Sequence, residues 1–173
     1  MSKSSTTIFI IDDDPMMQSM LKDHLSAMSN FTIHTFATGE EALASGQLVP
    51  DIVFLDYNLD SKIANAMDGI DVLREIKSKY PATEVVMLSG QDKIEVAVDT
   101  MKYGAFDYIV KGESAFYRAE KTVFNLFKLS QLKRNAGMYK VLTITFGVAV
   151  LIMIILVIIL ISKGMISDHV GWF

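Results

Sequence analysis

The chain has 173 residues, room for one ordinary domain of about 120 to 140 residues plus an appendage, and not for a second full domain. Its hydrophobic content is high at 51%, and it holds no cysteine, which excludes a disulfide framework, a Cys-ligated zinc site and a thiol nucleophile. Charge divides the chain: residues 1–112 carry 9 Lys/Arg against 17 Asp/Glu, a net of −8, and residues 113–140 carry 6 against 2, a net of +4, so the leading part is a poor partner for nucleic acid.

In chain order, apolar and β-branched runs at 7–11, 31–36, 51–55, 84–88 and 106–110 predict five strands. After the first run, Asp14-Pro15 supplies a cap and an N1 proline for a helix whose Met17, Met20, Leu21, His24, Leu25 and Met28 fall at helical spacing. Ile70, Leu73 and Ile76 mark a second stripe, ending at Tyr80 before Pro81. Ile94, Val98 and Met101 mark a third, closed by Gly104 in the C′ manner. All three are expected to face the core. Beyond Glu113 no strong breaker occurs before Gly137, so the last helix should outrun the domain, with Phe116, Val123, Phe124, Phe127 and Leu132 as its apolar stripe and Gly137 as a joint.

Strands alternating with helices imply βαβ crossovers, and near-continuous apolar strands imply a parallel sheet covered on both faces. The expectation is a doubly wound α/β domain over residues 1–125, followed by a basic helical linker over 126–140. Val141 to Ser162 holds no charge in 22 positions, about 33 Å of helix, enough to cross a bilayer. Sixteen of these residues are Val, Ile, Leu or Phe, worth together about −5 to −10 kcal/mol of insertion. The segment is therefore expected to be a single transmembrane helix. Lys128, Lys133, Arg134 and Lys140 before it put the globular part in the cytoplasm, leaving residues 163–173 as a short extracytoplasmic tail. Thr143 and Gly147 form a small-xxx-small pair through which two copies could approach as a homodimer.

In an open α/β sheet, ligands bind outside the carboxyl ends of the strands. The first run there ends in Asp12-Asp13, the third in Asp56, the fourth in Ser89 and the fifth in Lys111. Crowded carboxylates repel unless a cation neutralises them, and oxygen ligands of this kind suit Mg²⁺. With the metal present, one Asp can act as nucleophile towards a phosphoryl group while Lys111 and Ser89 stabilise charge on its oxygens. His24, His34 and His169 share no ligand spacing.

Ile10-Ile11-Asp12-Asp13-Asp14-Pro15, Phe54-Leu55-Asp56, Met87-Leu88-Ser89-Gly90 and the run from Gly104 to Lys111 resemble the receiver domains of response regulators in two-component signalling, over about residues 6–125. The resemblance implies a flavodoxin-like five-stranded parallel sheet of order 2-1-3-4-5, with Asp56 as phosphoacceptor. It implies that Asp12, Asp13, Asp56 and the backbone carbonyl of Asn58 hold Mg²⁺. Ser89 is implied as the switch hydroxyl, Tyr108 as the aromatic whose rotamer follows it, and Lys111 as the lysine that pairs with phosphate. Donors in that family are phosphohistidines on sensor kinases or phosphotransfer proteins. Two departures stand out: Leu59 to Met67 looks like an insertion, and Gly112 follows Lys111 where receivers usually carry proline, so that Lys111 would be held less rigidly.

The reading expected from these features is a membrane-tethered single-domain response regulator, not an enzyme, that signals by phosphorylation-dependent binding of an output protein through helix four, strand five and helix five. A shift in helix five could also alter helix pairing in the bilayer. Two other classes stay open. One is a receiver-like membrane scaffold that is not phosphorylated. The other is a metal-dependent phosphatase working through an aspartyl phosphate, although in haloacid-dehalogenase-like enzymes the nucleophile follows strand one, and here it follows strand three.

Overall fold

The computed structural model describes residues 6–29, 31–46, 48–59, 67–91 and 93–162. The tail at 163–173 and most of the expected insertion fall outside them. Five strands, β1 (Thr7–Ile11), β2 (Thr32–Phe36), β3 (Ile52–Asp56), β4 (Glu84–Ser89) and β5 (Asp107–Val110), pair in parallel in the order β2-β1-β3-β4-β5. Five helices connect and follow them: α1 (Pro15–Met28), α2 (Gly39–Ala44), α3 (Gly69–Lys79), α4 (Ile94–Lys102) and α5 (Ala115–Ser162). This is the doubly wound α/β sheet that the alternating pattern predicts, with strand bounds within a residue of those expected.

Local chemistry sets the helix starts. The Asp14 side chain accepts from the Met16 amide at 2.9 Å, Thr38 Oγ1 from the Glu41 amide at 3.2 Å, and Asp68 from the Asp71 amide at 2.8 Å, so α1, α2 and α3 each satisfy an otherwise orphaned N–H. α4 has no side-chain cap. It stops at Gly104, whose φ of 94° lies in the left-handed region that a Cβ disfavours.

Ile8 to Ile11 of β1, Ile52 to Leu55 of β3 and Val85 to Leu88 of β4 are unbroken apolar runs because both faces of the sheet are covered. Phe9, Ile11, Val53, Leu55, Val85, Met87 and Tyr108 pack on one side with Ala42 of α2 and Val72, Leu73 and Ile76 of α3. The alternating set Ile8, Ile10, Phe54, Val86, Leu88 and Ile109 is equally buried and points the other way, where α1 and α5 bring Leu21, Leu25, Ala119 and Val123. His24 of α1 meets Glu120 of α5 at 3.2 Å on that side.

Three expectations about faces are corrected. Met20 points outward, and the α1 stripe buries through Leu21 and Leu25. Ile94, Val98 and Met101 do not face the core: they are 78%, 47% and 42% exposed. α4 instead turns Val96, Ala97 and Thr100 inward, with the Thr100 hydroxyl satisfied by the Ala97 carbonyl at 2.8 Å, so a threonine fills a core position that apolar periodicity overlooks. In the first part of α5, Ala115, Ala119, Val123 and Leu126 are buried, whereas Phe124 is exposed.

Both ends of the expected insertion belong to the core: Leu59 is buried in the α2/α3 cluster, and Met67 packs against it. The Met67 amide donates to Glu40 Oε1 at 2.7 Å.

By its internal contacts the chain forms two units, residues 1–126 and 127–173. In the second, helical structure continues through Gly137, so the helix does not break at the expected joint. Thr143–Ile161 has a mean hydropathy of 3.4 and none of it is buried, which makes it long and apolar enough to cross a membrane.

Candidate functional site

Parallel pairing brings the carboxyl ends of the strands to one rim, and crossovers diverge on either side of β1 and β3, the position where such sheets open a crevice. Asp12 leaves β1 there and Asp56 closes β3. The β3–β4 register sets Asp56 opposite Leu88 and the β4–β5 register sets Ser89 opposite Val110, so Ser89 and Lys111 each lie just beyond. One oxygen from each of Asp12, Asp13 and Asp56 lies within 4.8 Å of the others. The sequence-predicted carboxylates are therefore together.

Lys111 Nζ sits 2.8 Å from Asp12 Oδ2 and 3.0 Å from Asp56 Oδ2. Lys111 thus reaches both carboxylates with Gly112 as the next residue. Asp12 Oδ2 meets Lys111 as an ion pair, and Asp56 Oδ1 is buried without a hydrogen-bond partner. Asp12 is fully buried and Asp56 only 3% exposed. Burial pushes the Asp12 carboxyl above its usual value, helped by the charge on Asp56, against the opposing pull of Lys111 and the Asp14 amide. Burial works to lower the Lys111 ammonium, but the two carboxylates outweigh it and hold its pKa above the usual value.

Three carboxyl groups face a single ammonium, around two buried oxygens without a hydrogen-bond partner. An all-oxygen acidic donor set of this kind fits a hard divalent cation, and Mg²⁺ binds through few carboxylates while retaining waters. The residues present thus fit the expected metal.

Around this cluster the loops are tied by backbone and hydroxyl groups. Asp12 Oδ1 accepts the Asp14 amide at 3.0 Å, which tightens the turn after β1. Ser89 is buried and its Oγ accepts the Gln91 amide at 3.1 Å, leaving its proton to donate. The Tyr108 ring is 8% exposed, and its hydroxyl donates to the Gln91 carbonyl at 2.6 Å, so Ser89 and Tyr108 hold the same loop residue from two sides. Asn58 lies two residues past Asp56 and, with Tyr57, Leu59, Asp68, Ile70 and Gln91, lines a cleft of about 510 Å³ beside the cluster.

Two participants escape a reading of the sequence. Gln18 Nε2 donates to the carbonyls of Asp12 at 2.5 Å and Phe36 at 2.9 Å, although a glutamine inside a helix reads as a solvated residue. Gly69, the first residue of α3, lies against the backbone of Asp56 and Tyr57. The Met67-Asp68-Gly69 punctuation before an apolar stripe is the signal that could have found it.

Comparison with known proteins adds independent support. The profile of the response regulator receiver domain matches residues 8–116. The chain is 30% identical over 115 residues to the probable C4-dicarboxylate response regulator DctR of Priestia megaterium, an alignment covering 64% of this chain and 47% of that protein. It is 32% identical over 105 residues to the regulatory protein AtoC of Escherichia coli K12, covering 60% of this chain and 22% of that one. Among solved structures, the receiver domain of NtrX from Brucella abortus superposes with a TM-score of 0.58 at 32% identity, covering 66% of this chain and 96% of that domain. The chain spans less than half the length of the two full-length regulators.

Proposed function

Because the chain belongs to the response regulator receiver domain family, we propose that it accepts a phosphoryl group on Asp56 from a histidine kinase or histidine phosphotransfer protein, and signals by phosphorylation-dependent protein binding while held at a membrane. The observation that carries this reading is Asp56 Oδ1, a buried and unpartnered oxygen at the strand-end rim beside Lys111 and the Asp12/Asp13 pair.

In this reading the carboxylates of Asp12, Asp13 and Asp56 and the carbonyl of Asn58 would hold Mg²⁺, which when bound supplies charge neutralisation to the transferring phosphoryl oxygens. Asp56 attacks phosphorus with a carboxylate oxygen. A P–O bond forms as the P–N bond of the donor breaks, and the leaving imidazole keeps that bond's electron pair. Lys111, 3.0 Å from Asp56 Oδ2, stabilises charge on the phosphoryl group, to which the Ser89 hydroxyl then donates. Because Ser89 and Tyr108 both bond Gln91, a movement of Ser89 strains the loop leading into the uncapped α4 and its exposed Ile94, Val98 and Met101. That apolar helix face is the surface offered to an output protein. The chain acts as a phosphoacceptor, with no small-molecule turnover of its own.

The unburied Thr143–Ile161 segment and the basic residues before it support a single membrane span with the receiver unit on the cytoplasmic side. The central experiment incubates the full chain with a small acyl phosphate and Mg²⁺. Labelling is expected on wild type, lost on Asp56→Asn, and lost on addition of EDTA. Equal labelling of Asp56→Asn, or none on wild type, would overturn the reading.

A further inference from the structure

β1 stops pairing with β2 at Ile11 opposite Phe36, and the chain then turns sharply through Asp12 and Asp13 into the cap of α1. The carbonyl of Asp12 therefore lies past the end of the sheet on a fully buried residue, where no strand among the described residues supplies a donor. Gln18, one turn into α1, fills the gap: its Nε2 donates to the Asp12 carbonyl at 2.5 Å and to the Phe36 carbonyl at 2.9 Å. Both partners are acceptors, so the carboxamide can be oriented only with its NH₂ towards them. The Phe36 carbonyl also accepts the Asp12 amide at 3.1 Å, so the peptide units on both sides of Asp12 are fixed to one point on β2.

The peptide unit that Gln18 holds is the one joining Asp12 to Asp13. Its plane sets where the Cα of Asp13 lies, and hence where the most solvent-open carboxylate of the cluster points. The Asp12 carboxylate itself is held separately, by the Asp14 amide and Lys111. We infer that Gln18 is a positioning residue for the acidic pair: it orients the Asp12-Asp13 peptide so that the Asp13 carboxylate converges with Asp12 and Asp56 on a divalent cation. This rests on the functional reading above. Partners one bond removed from metal ligands commonly contribute about 10- to 100-fold to metal affinity.

The test is calorimetric titration of the full chain in detergent with MgCl₂ alone, for wild type, Gln18→Met, which keeps the length and loses the donor, and Gln18→Arg, which restores N–H donors. Melting temperatures of each are taken in EDTA. The Met variant is expected to weaken Mg²⁺ binding by about 10- to 100-fold, and the Arg variant to recover most of the affinity. Should the Met variant not fold, Gln18→Leu, close in size, uncharged and without an N–H, carries the same comparison. A Met variant that melts lower in EDTA yet binds Mg²⁺ like wild type would show a clamp that serves stability only, and would overturn the inference. A wild-type chain that bound no Mg²⁺ would instead overturn the functional reading, and this inference with it.

Discussion

Two glycines next to the candidate site respond in opposite ways to the same added methyl. At Gly69 a Cβ would lie 2.5 Å from the Asp56 carbonyl oxygen, 2.6 Å from that of Tyr57 and 2.8 Å from the Tyr57 Cα. Unstrained contacts need about 3.5 Å or more, so roughly 1 Å must be found, and because every obstructing atom is backbone no rotamer change can supply it. Overpacking of this kind costs about 1 to 3 kcal/mol. For a domain of this size that lowers the melting temperature of Gly69→Ala by about 4 to 12 °C. The displaced segment carries Asp56, the proposed phosphoacceptor, and a misplacement near 1 Å is enough to slow acyl-phosphate labelling by about 100-fold. At Gly112 nothing lies within 4 Å of an added Cβ and φ is not left-handed. Gly112→Ala should leave labelling intact and raise stability by about 0.4 to 1 kcal/mol through the unfolded chain. Scanning calorimetry and labelling rates on both variants check this. A Gly69→Ala chain that melted and labelled like wild type, or a Gly112→Ala chain that lost labelling, would refute the steric argument.

Four further outcomes follow from the same geometry. Mg²⁺ at ten times its dissociation constant should stabilise the fold by about 1.4 kcal/mol, visible as a rise in melting temperature that EDTA removes and Asp12→Asn diminishes. With metal chelated, the raised pKa of Asp12 means that the folded state binds its proton more tightly than the unfolded chain, so this residue's contribution to stability falls as pH rises above the ordinary value of 3.8. Denaturant titrations across that window should show the slope in wild type and lose Asp12's share in Asp12→Asn. Lys111→Met, which removes the ammonium beside Asp12 and Asp56, should slow acyl-phosphate labelling about 100-fold or more; a rate near wild type would deny Lys111 its role. Thr122→Val removes the 2.6 Å hydrogen bond from Thr122 Oγ1 to Asp107 Oδ2 that joins α5 to β5, and should cost about 1.5 to 3 kcal/mol in chemical denaturation while leaving acyl-phosphate labelling of Asp56 unchanged.

The sequence discloses the sheet well because its strands are buried on both faces, so runs such as Ile52 to Leu55 are apolar without interruption. Asp12, Asp13, Asp56, Ser89 and Lys111 were legible because parallel topology forces strand ends to one rim, whatever the loops do. The α4 face was not: Ile94, Val98 and Met101 obey helical spacing as well as Val96, Ala97 and Thr100 do, and periodicity alone cannot say which of two stripes is inside. Gln18 and Gly69 were illegible for another reason. Their roles depend on backbone carbonyls of Asp12, Asp56 and Tyr57, and carbonyl positions carry no residue-type signal.

The chain leaves the site through Leu59, seated in the core, and returns at Met67, whose amide is pinned by Glu40, one step before the tightly fitted Gly69. Departure and return are both anchored in the α2/α3 cluster. The backbone on either side of Asp56 and Gly69 is thus held by neighbours that belong to the fold, so the aim of Asp56 is set by α2 and α3 and not by the sequence that joins the two anchors.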